Sequence, residues 1–309
     1  MTRRMIIAAM MAASGVLLTS CSDTQAISGL VDEQPAGKGH VRLVCSMAMG
    51  VTTRAALTAN GKALTDLYIM DYDKQTGKLL QVLHQTSTAQ DFAEPDLTLD
   101  YGDHTLKVVA TRSTSPTLQT AEGVAWAHTA DVLMAAPTSD VPVVLASSKT
   151  SDTFGAQQDV TVGVGSAASV SITLERLVAN LMVKTTDAFP SDATTLDIEL
   201  DEHTGFSFKD FSVIEALKNH RITDVSALAG QTGTTLSYYF LCPADGYTTD
   251  ITFTANSSSG TPYTAIMVED VPLERNKVTT VTGSIYGHQQ GTVVTVNDTW
   301  DATGHDVTF

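Results

Sequence analysis

The chain has 309 residues, 43% of them hydrophobic and 6% aromatic, and 34 acidic residues outweigh 18 basic ones to give a formal charge of −16. So acidic a body argues against nucleic acid and anionic membrane surfaces as partners, because both would be repelled. Trp126 and Trp300 are the only tryptophans, which argues against an exposed aromatic platform for carbohydrate, and the length allows two domains of ordinary size.

The N-terminus reads as an address. Arg3 and Arg4 precede an apolar run from Met5 to Leu18, followed by Thr19-Ser20-Cys21. That run is shorter than the roughly 20 residues a spanning helix needs, and small residues stand before the cysteine, so residues 1–20 are expected to be a cleaved export signal. Leu18-Thr19-Ser20-Cys21 resembles a bacterial lipobox, which implies a diacylglycerol on Cys21 and membrane contact through that lipid alone. Residues 1–20 carry two cations and no acid, so cleavage moves the formal charge from −16 to −18.

Beyond the signal, short apolar segments rich in Val, Ile, Thr and Tyr alternate with turn chemistry, the pattern of an all-β chain. From Val41 to Val51 the odd positions are Val41, Leu43, Cys45, Met47, Met49 and Val51, a period-2 apolar face. Arg54 follows at once, in a Thr/Ala stretch open to nicking. Asn60-Gly61 marks a turn, and Leu64–Tyr72 is apolar on both faces, as expected inside a sheet. Lys74–Gly77 should close a hairpin onto Lys78–His84, and Leu97–Tyr101 with Leu106–Thr111 reads as a second one. Val141–Ala146 and Asp159–Val164 read as further strands. Ser169–Lys184 is ambiguous at its centre, though β-branched residues at both ends argue for strands. The domain boundary is expected near its start, giving domains at 55–167 and 168–309. Leu196–Leu200, Leu236–Leu241, Asp250–Ala255 and Lys277–Tyr286 read as strands of the second, and Phe208–His220 and Asp224–Ala229 as short helices. Near the end, Val294, Val296 and Trp300 share a strand face interrupted by Asp298.

Catalytic signatures do not emerge. The eight histidines show no metal-ligand spacing, and HExxH and CxxC are absent. Gly163–Ala167 places its serine one position late for a nucleophile elbow. Asp71–Gly77 lacks the third acid and the distal Glu of a calcium loop, so a turn accounts for it better. No cofactor or metal is implied, and the chain is not expected to be an enzyme. With Cys21 lipidated, Cys45 and Cys242 leave two readings, one disulfide in an oxidising compartment or two buried thiols.

The lipobox, the basic residue after a first strand, "LTDLYIMDYDKQTGKLLQVLHQ" at 64–85, "LDYGDHTLKVVATRS" at 99–113, "LERLVANLMV" at 174–183 and "VPLERNKVTTVTGSIY" at 271–286 resemble the FimA-like fimbrillins, the type V pilins of Gram-negative anaerobes. The resemblance implies two tandem transthyretin-like β-sandwiches, transit to the outer membrane as a lipoprotein, and removal of the N-terminal strand by an arginine-specific protease. A strand from a neighbouring subunit then fills the opened groove of a surface fimbrium. Carried over by position, Arg54 is the cleavage residue and Ala55 the new N-terminus. Residues 21–54 are a lipidated propeptide, Val41–Val51 the removable strand, and Thr292–Trp300, with Val294, Val296 and Trp300, the donor. The implied partners are other fimbrial subunits, the protease, and a host or bacterial surface ligand. An uncut fimbrial anchor keeping its lipid, and a glycan-binding surface lipoprotein, are the alternatives.

Overall fold

The computed structural model describes residues 37–48, 57–59, 62–113, 117–120, 132–135, 143–146, 150–165, 167–203, 205–286 and 293–297. Most of these are in strands, and none is in an α-helix. In chain order they are β1 (Lys38–Met47), β2 (Thr58–Ala59), β3 (Lys62–Ala63), β4 (Asp66–Asp73), β5 (Leu79–Thr86), β6 (Asp96–Asp100), β7 (Gly102–Thr111), β8 (Thr117–Thr120), β9 (Val132–Ala135), β10 (Val143–Ala146), β11 (Thr153–Val162) and β12 (Ala167–Arg176). After Leu177 come β13 (Val178–Thr185), β14 (Ala193–Glu202), β15 (Gly205–Ser207), β16 (Leu217–Asp224), β17 (Thr235–Leu241), β18 (Tyr247–Ser257), β19 (Ile266–Leu273), β20 (Val278–Gly283) and β21 (Val293–Asn297).

The first sandwich is one long sheet folded on itself, in the order β6-β1-β12-β11-β7-β4-β5-β9. The fold lies where β12 meets β11, which pair only at Phe154↔Arg176 and Gly155↔Glu175. Alternating side chains then meet across the core: Leu43 and Cys45 of β1, Leu97 and Leu99 of β6, and Ile172 and Leu174 of β12 pack with Leu67, Ile69, Leu106, Val108 and Phe154 of the other leaf. The back of β4, β5 and β7 is buried as well, because Tyr68, Met70, Val82 and Val109 pack on Leu177, Phe206, Phe208 and Leu241. Burial on both faces is the reason Leu64–Tyr72 has no polar side.

The second sandwich stacks β17-β13-β20-β21 on β16-β14-β18-β19. Leu181 and Val183, Leu236 and Phe240, Leu196 and Ile198, and Ile251 and Phe253 form its core. Leu177 lies in the third apolar cluster, with Tyr68, Phe206 and Leu241, and its neighbour Arg176 makes a bidentate pair with Asp152 (2.7 and 3.0 Å) while its third nitrogen donates to Asn276 Oδ1 (3.0 Å). Arg176 and Asp152 side chains are 1% and 0% exposed, so each needs the other.

Three sequence expectations change. Leu97–Tyr101 and Leu106–Thr111 are strands but no hairpin, since β6 pairs with β1 whereas β7 lies between β4 and β11. Gly102, at φ 145°, carries the chain from one leaf to the other. Phe208–His220 is no helix: its last residues open β16, where alternate burial of Arg221 and Thr223 sets a period of two. Asp224–Ala229 shrinks to a single 3-10 turn, Ser226–Leu228. The turn at Lys74–Gly77 is a true hairpin, held by the Asp73 carboxylate accepting from Thr76 N–H (2.7 Å) and hydroxyl (2.8 Å).

Candidate functional site: the groove filled by the first strand

Strand β1 has a neighbour on both sides. It runs antiparallel to β6, with Val41 opposite Leu97, and parallel to β12, with Leu43, Cys45 and Met47 opposite Val170, Ile172 and Leu174. The ladder extends beyond β6, since Leu43 N–H donates to the Pro95 carbonyl (3.0 Å) and Cys45 N–H to that of Ala93 (2.8 Å). Ala93 takes the left-handed φ of 74° to present its carbonyl there. Val41 and Leu43 are fully buried, and Cys45 and Met47 are 8% and 7% exposed. Four side chains of a single strand, worth roughly 1.5–3 kcal/mol each, thus fill a groove walled by β6 and β12.

The outward face of β1 is polar. Lys38, His40 and Arg42 are exposed, and Arg42 Nη2 donates to Glu94 Oε2 at 2.7 Å, with Asp96 at 3.8 Å. The Glu94 hydrogen bond and the Asp96 charge hold the guanidinium above its ordinary value. Lys38 Nζ lies 3.3 Å from Asp100. Sequence reasoning passed over these cations, although their spacing matches the Asp96–Asp100 spacing across the strand pair.

Of the residues singled out from sequence, Val41, Leu43, Cys45 and Met47 come together on the inward face of β1. Cys21, Met49, Val51, Arg54, Ala55 and Trp300 lie outside the described residues. Val294 and Val296 fall in β21, at the register positions of Val281 and Thr279, where β21 is the edge strand beside β20. Cys45 and Cys242 are both free thiols, one in each core, and burial pushes each up to about 12. Among the described residues no group of three or more His, Cys, Asp or Glu side chains is placed to hold a metal ion.

At the Asp100 end of β6, His104 is 3% exposed on its side chain and hydrogen-bonded at both ring nitrogens, to Asp71 (2.7 Å) and to the Asp100 carbonyl (2.8 Å). Burial pulls its pKa down, but the hydrogen bond and charge of Asp71 outweigh that and hold it above the ordinary value. Two acceptors on one imidazole favour the doubly protonated ring.

Fold and groove together define an all-β protein of two sandwiches, the first of which is completed by an N-terminal strand set between two others. The chain belongs to the family of unknown function DUF6562, which it matches over residues 33–308. No curated protein matches it. Among solved structures, a candidate adhesin from Bacteroides ovatus is 11% identical, with 87% of this chain and 96% of that one covered at a TM-score of 0.51. A candidate polysaccharide-binding protein (DUF1812) from Bacteroides thetaiotaomicron is 10% identical, with 84% and 96% covered and a TM-score of 0.51. The fimbrial anchor protein Mfa2 from Porphyromonas gingivalis is 10% identical, with 84% and 97% covered and a TM-score of 0.45. At such identities the likeness to the first two is one of fold.

Proposed function

We propose that the protein is a non-enzymatic structural subunit of a cell-surface fimbrium, matured in the manner of the FimA-like fimbrillins. The observation that carries this reading is the burial of Val41, Leu43, Cys45 and Met47 in a strand that lies wholly before Arg54. The description of the Bacteroides ovatus structure as a candidate adhesin accords with it. Export as a Cys21 lipoprotein brings the folded precursor to the outer membrane, and an arginine-specific protease cuts after Arg54. Losing β1 strips the first core of roughly 6–12 kcal/mol of apolar burial, about as much as the entire stability of a typical domain. It also leaves β6 and β12 with unpaired backbone groups facing each other, so the groove must be refilled by β-augmentation.

Polymerisation is then driven by completing a fold. Because Cys45 is a free thiol, nothing covalent in the described structure tethers β1 to the second core. The C-terminal strand with Val294, Val296 and Trp300 is assigned as the donor to a neighbouring subunit, consistent with an edge strand that leaves only one ladder behind. We take the division between the proposed domains to lie at Leu177, a reading supported by the pairing of β12 with β1 and β11.

The test is the mass and N-terminal sequence of the protein recovered from the cell surface, together with a lipid label. A chain starting at Ala55 without lipid is expected, and a chain retaining acylated Cys21 overturns the reading. The second outcome would favour an uncut lipid-anchored protein that serves as a fimbrial anchor or binds glycan, a reading to which the description of the DUF1812 structure lends support.

A further inference from the structure

Over the paired length of β1 the groove has a charged rim on one side only. Along β6 the outward residues Asp96 and Asp100 stand directly opposite Arg42 and Lys38, with Glu94 also on Arg42. Along β12 the residues opposite the outward positions His40, Arg42, Val44 and Ser46 are Ala167, Ser169, Ser171 and Thr173, none of them charged. Among the described residues, the ion pairs that reach Glu94, Asp96 and Asp100 all come from β1. When β1 departs, Glu94, Asp96 and Asp100 along one wall lose the Lys38 and Arg42 cations that pair with them. An incoming strand antiparallel to β6 places its own outward residues where Lys38 and Arg42 stood, and like charges directly opposite one another on a sheet are destabilising.

The chain's own C-terminus is poorly matched to that wall. Lys277 is the last Lys or Arg, and residues 278–309 contain Asp298, Asp301 and Asp306. Within the strand-like stretch, Asp298 also falls on the same alternate positions as Val294 and Val296, the face that would enter the core. A carboxylate carried into an apolar groove is heavily penalised. The body left after loss of residues 1–54 keeps the formal charge of −18, so two copies also repel at longer range.

We propose that the groove of this protein takes its strand from a different protein, one carrying Lys or Arg at two outward positions four residues apart, and discriminates against the C-terminal strand of a second copy. The inference rests on the strand-exchange reading and adds to it the chemistry of the partner.

The experiment uses the full chain with a sequence-specific protease site inserted between Ala48 and Leu57, folded and then nicked. Isotopically labelled peptides are offered in excess and their incorporation is read by native mass spectrometry. The peptides are residues 37–48 as they stand, the same peptide with Lys38→Glu and Arg42→Glu, and residues 290–303. At low salt the unaltered peptide is expected to enter at least about tenfold better than the charge-reversed one, because attraction is replaced by repulsion at two exposed positions. That preference should shrink toward 1 M salt, where the screening length falls to about 3 Å. The 290–303 peptide should not enter. Glu94→Gln, Asp96→Asn and Asp100→Asn together in the acceptor should bring the first two peptides close to parity. Equal entry of the charge-reversed or C-terminal peptide overturns the selectivity while leaving strand exchange intact. Failure of every peptide, the unaltered one included, overturns strand exchange and this inference with it.

Discussion

The two sandwiches are closed in opposite ways. Among the described residues, the second draws its strands from residues 178–297 and ends on β21, which pairs with β20 alone. The first depends on β1, a strand that precedes all its other strands in sequence, is seated between β6 and β12 and contributes four core side chains. An edge strand can leave at the expense of one ladder; an internal one takes two ladders and part of the core with it. The difference makes the first sandwich conditional on its N-terminal strand and the second independent of it.

Leu43→Asp should break this comparison most severely. Leu43 is fully buried, and a carboxylate there is expected to cost about 4 kcal/mol or more, at the extreme of single substitutions. Hydrogen exchange should show β6 and β12 losing protection while β14 and β18 keep theirs; simultaneous loss in both sandwiches would mean that the cores are one cooperative unit. Next comes Asp152→Asn, which leaves Arg176 buried without its carboxylate and should cost about 3–5 kcal/mol. Because Arg176 also reaches Asn276, calorimetry of this variant should separate the melting of the two sandwiches. Deleting residues from 291 onward should cost less than the roughly 2–5 kcal/mol expected of Leu43→Ala, since β21 has one neighbour.

A smaller effect is expected from pH. His104 has a raised pKa in the folded chain, so its stabilising contribution is fully present below its unfolded value of about 6.5 and is lost as pH rises through the folded value. Melting temperatures taken from pH 5.5 to 9 should fall in that direction for the native chain, and this component of the slope should vanish in His104→Asn. The smallest effect is a null result: a thiol reagent at pH 8 should label neither Cys45 nor Cys242 in the folded full chain, because both are buried and pushed up to about 12. Rapid native labelling of Cys45 alone would show β1 leaving its groove without any cut.

The alternating face of Val41–Met47 was legible because a half-buried strand writes its orientation in a period of two. Its neighbours were not. Leu97–Tyr101 reads as half of a local hairpin, and only the long-range match of Leu97 to Val41 sends it to β1. Pairings separated by over a hundred residues, such as Cys45 with Ile172, leave no local mark. The helix expected at Phe208–His220 failed because tertiary pairing of β16 with β14 overrode weak local propensity. The charged rim could have been found from the matched spacing of Lys38 and Arg42 with Asp96 and Asp100, once the strands were known to be adjacent.

The most direct test of the account is peptide-level hydrogen exchange on the cell-surface form, reading β6 and β12 together with the presence or absence of residues 37–48. Residues 37–48 should be gone while the amides of Asp96–Asp100 and Ala167–Arg176 remain as protected as in the full chain, because another strand has taken the place of β1. Residues 37–48 still present, or absent with β6 and β12 exchanging freely, would contradict it.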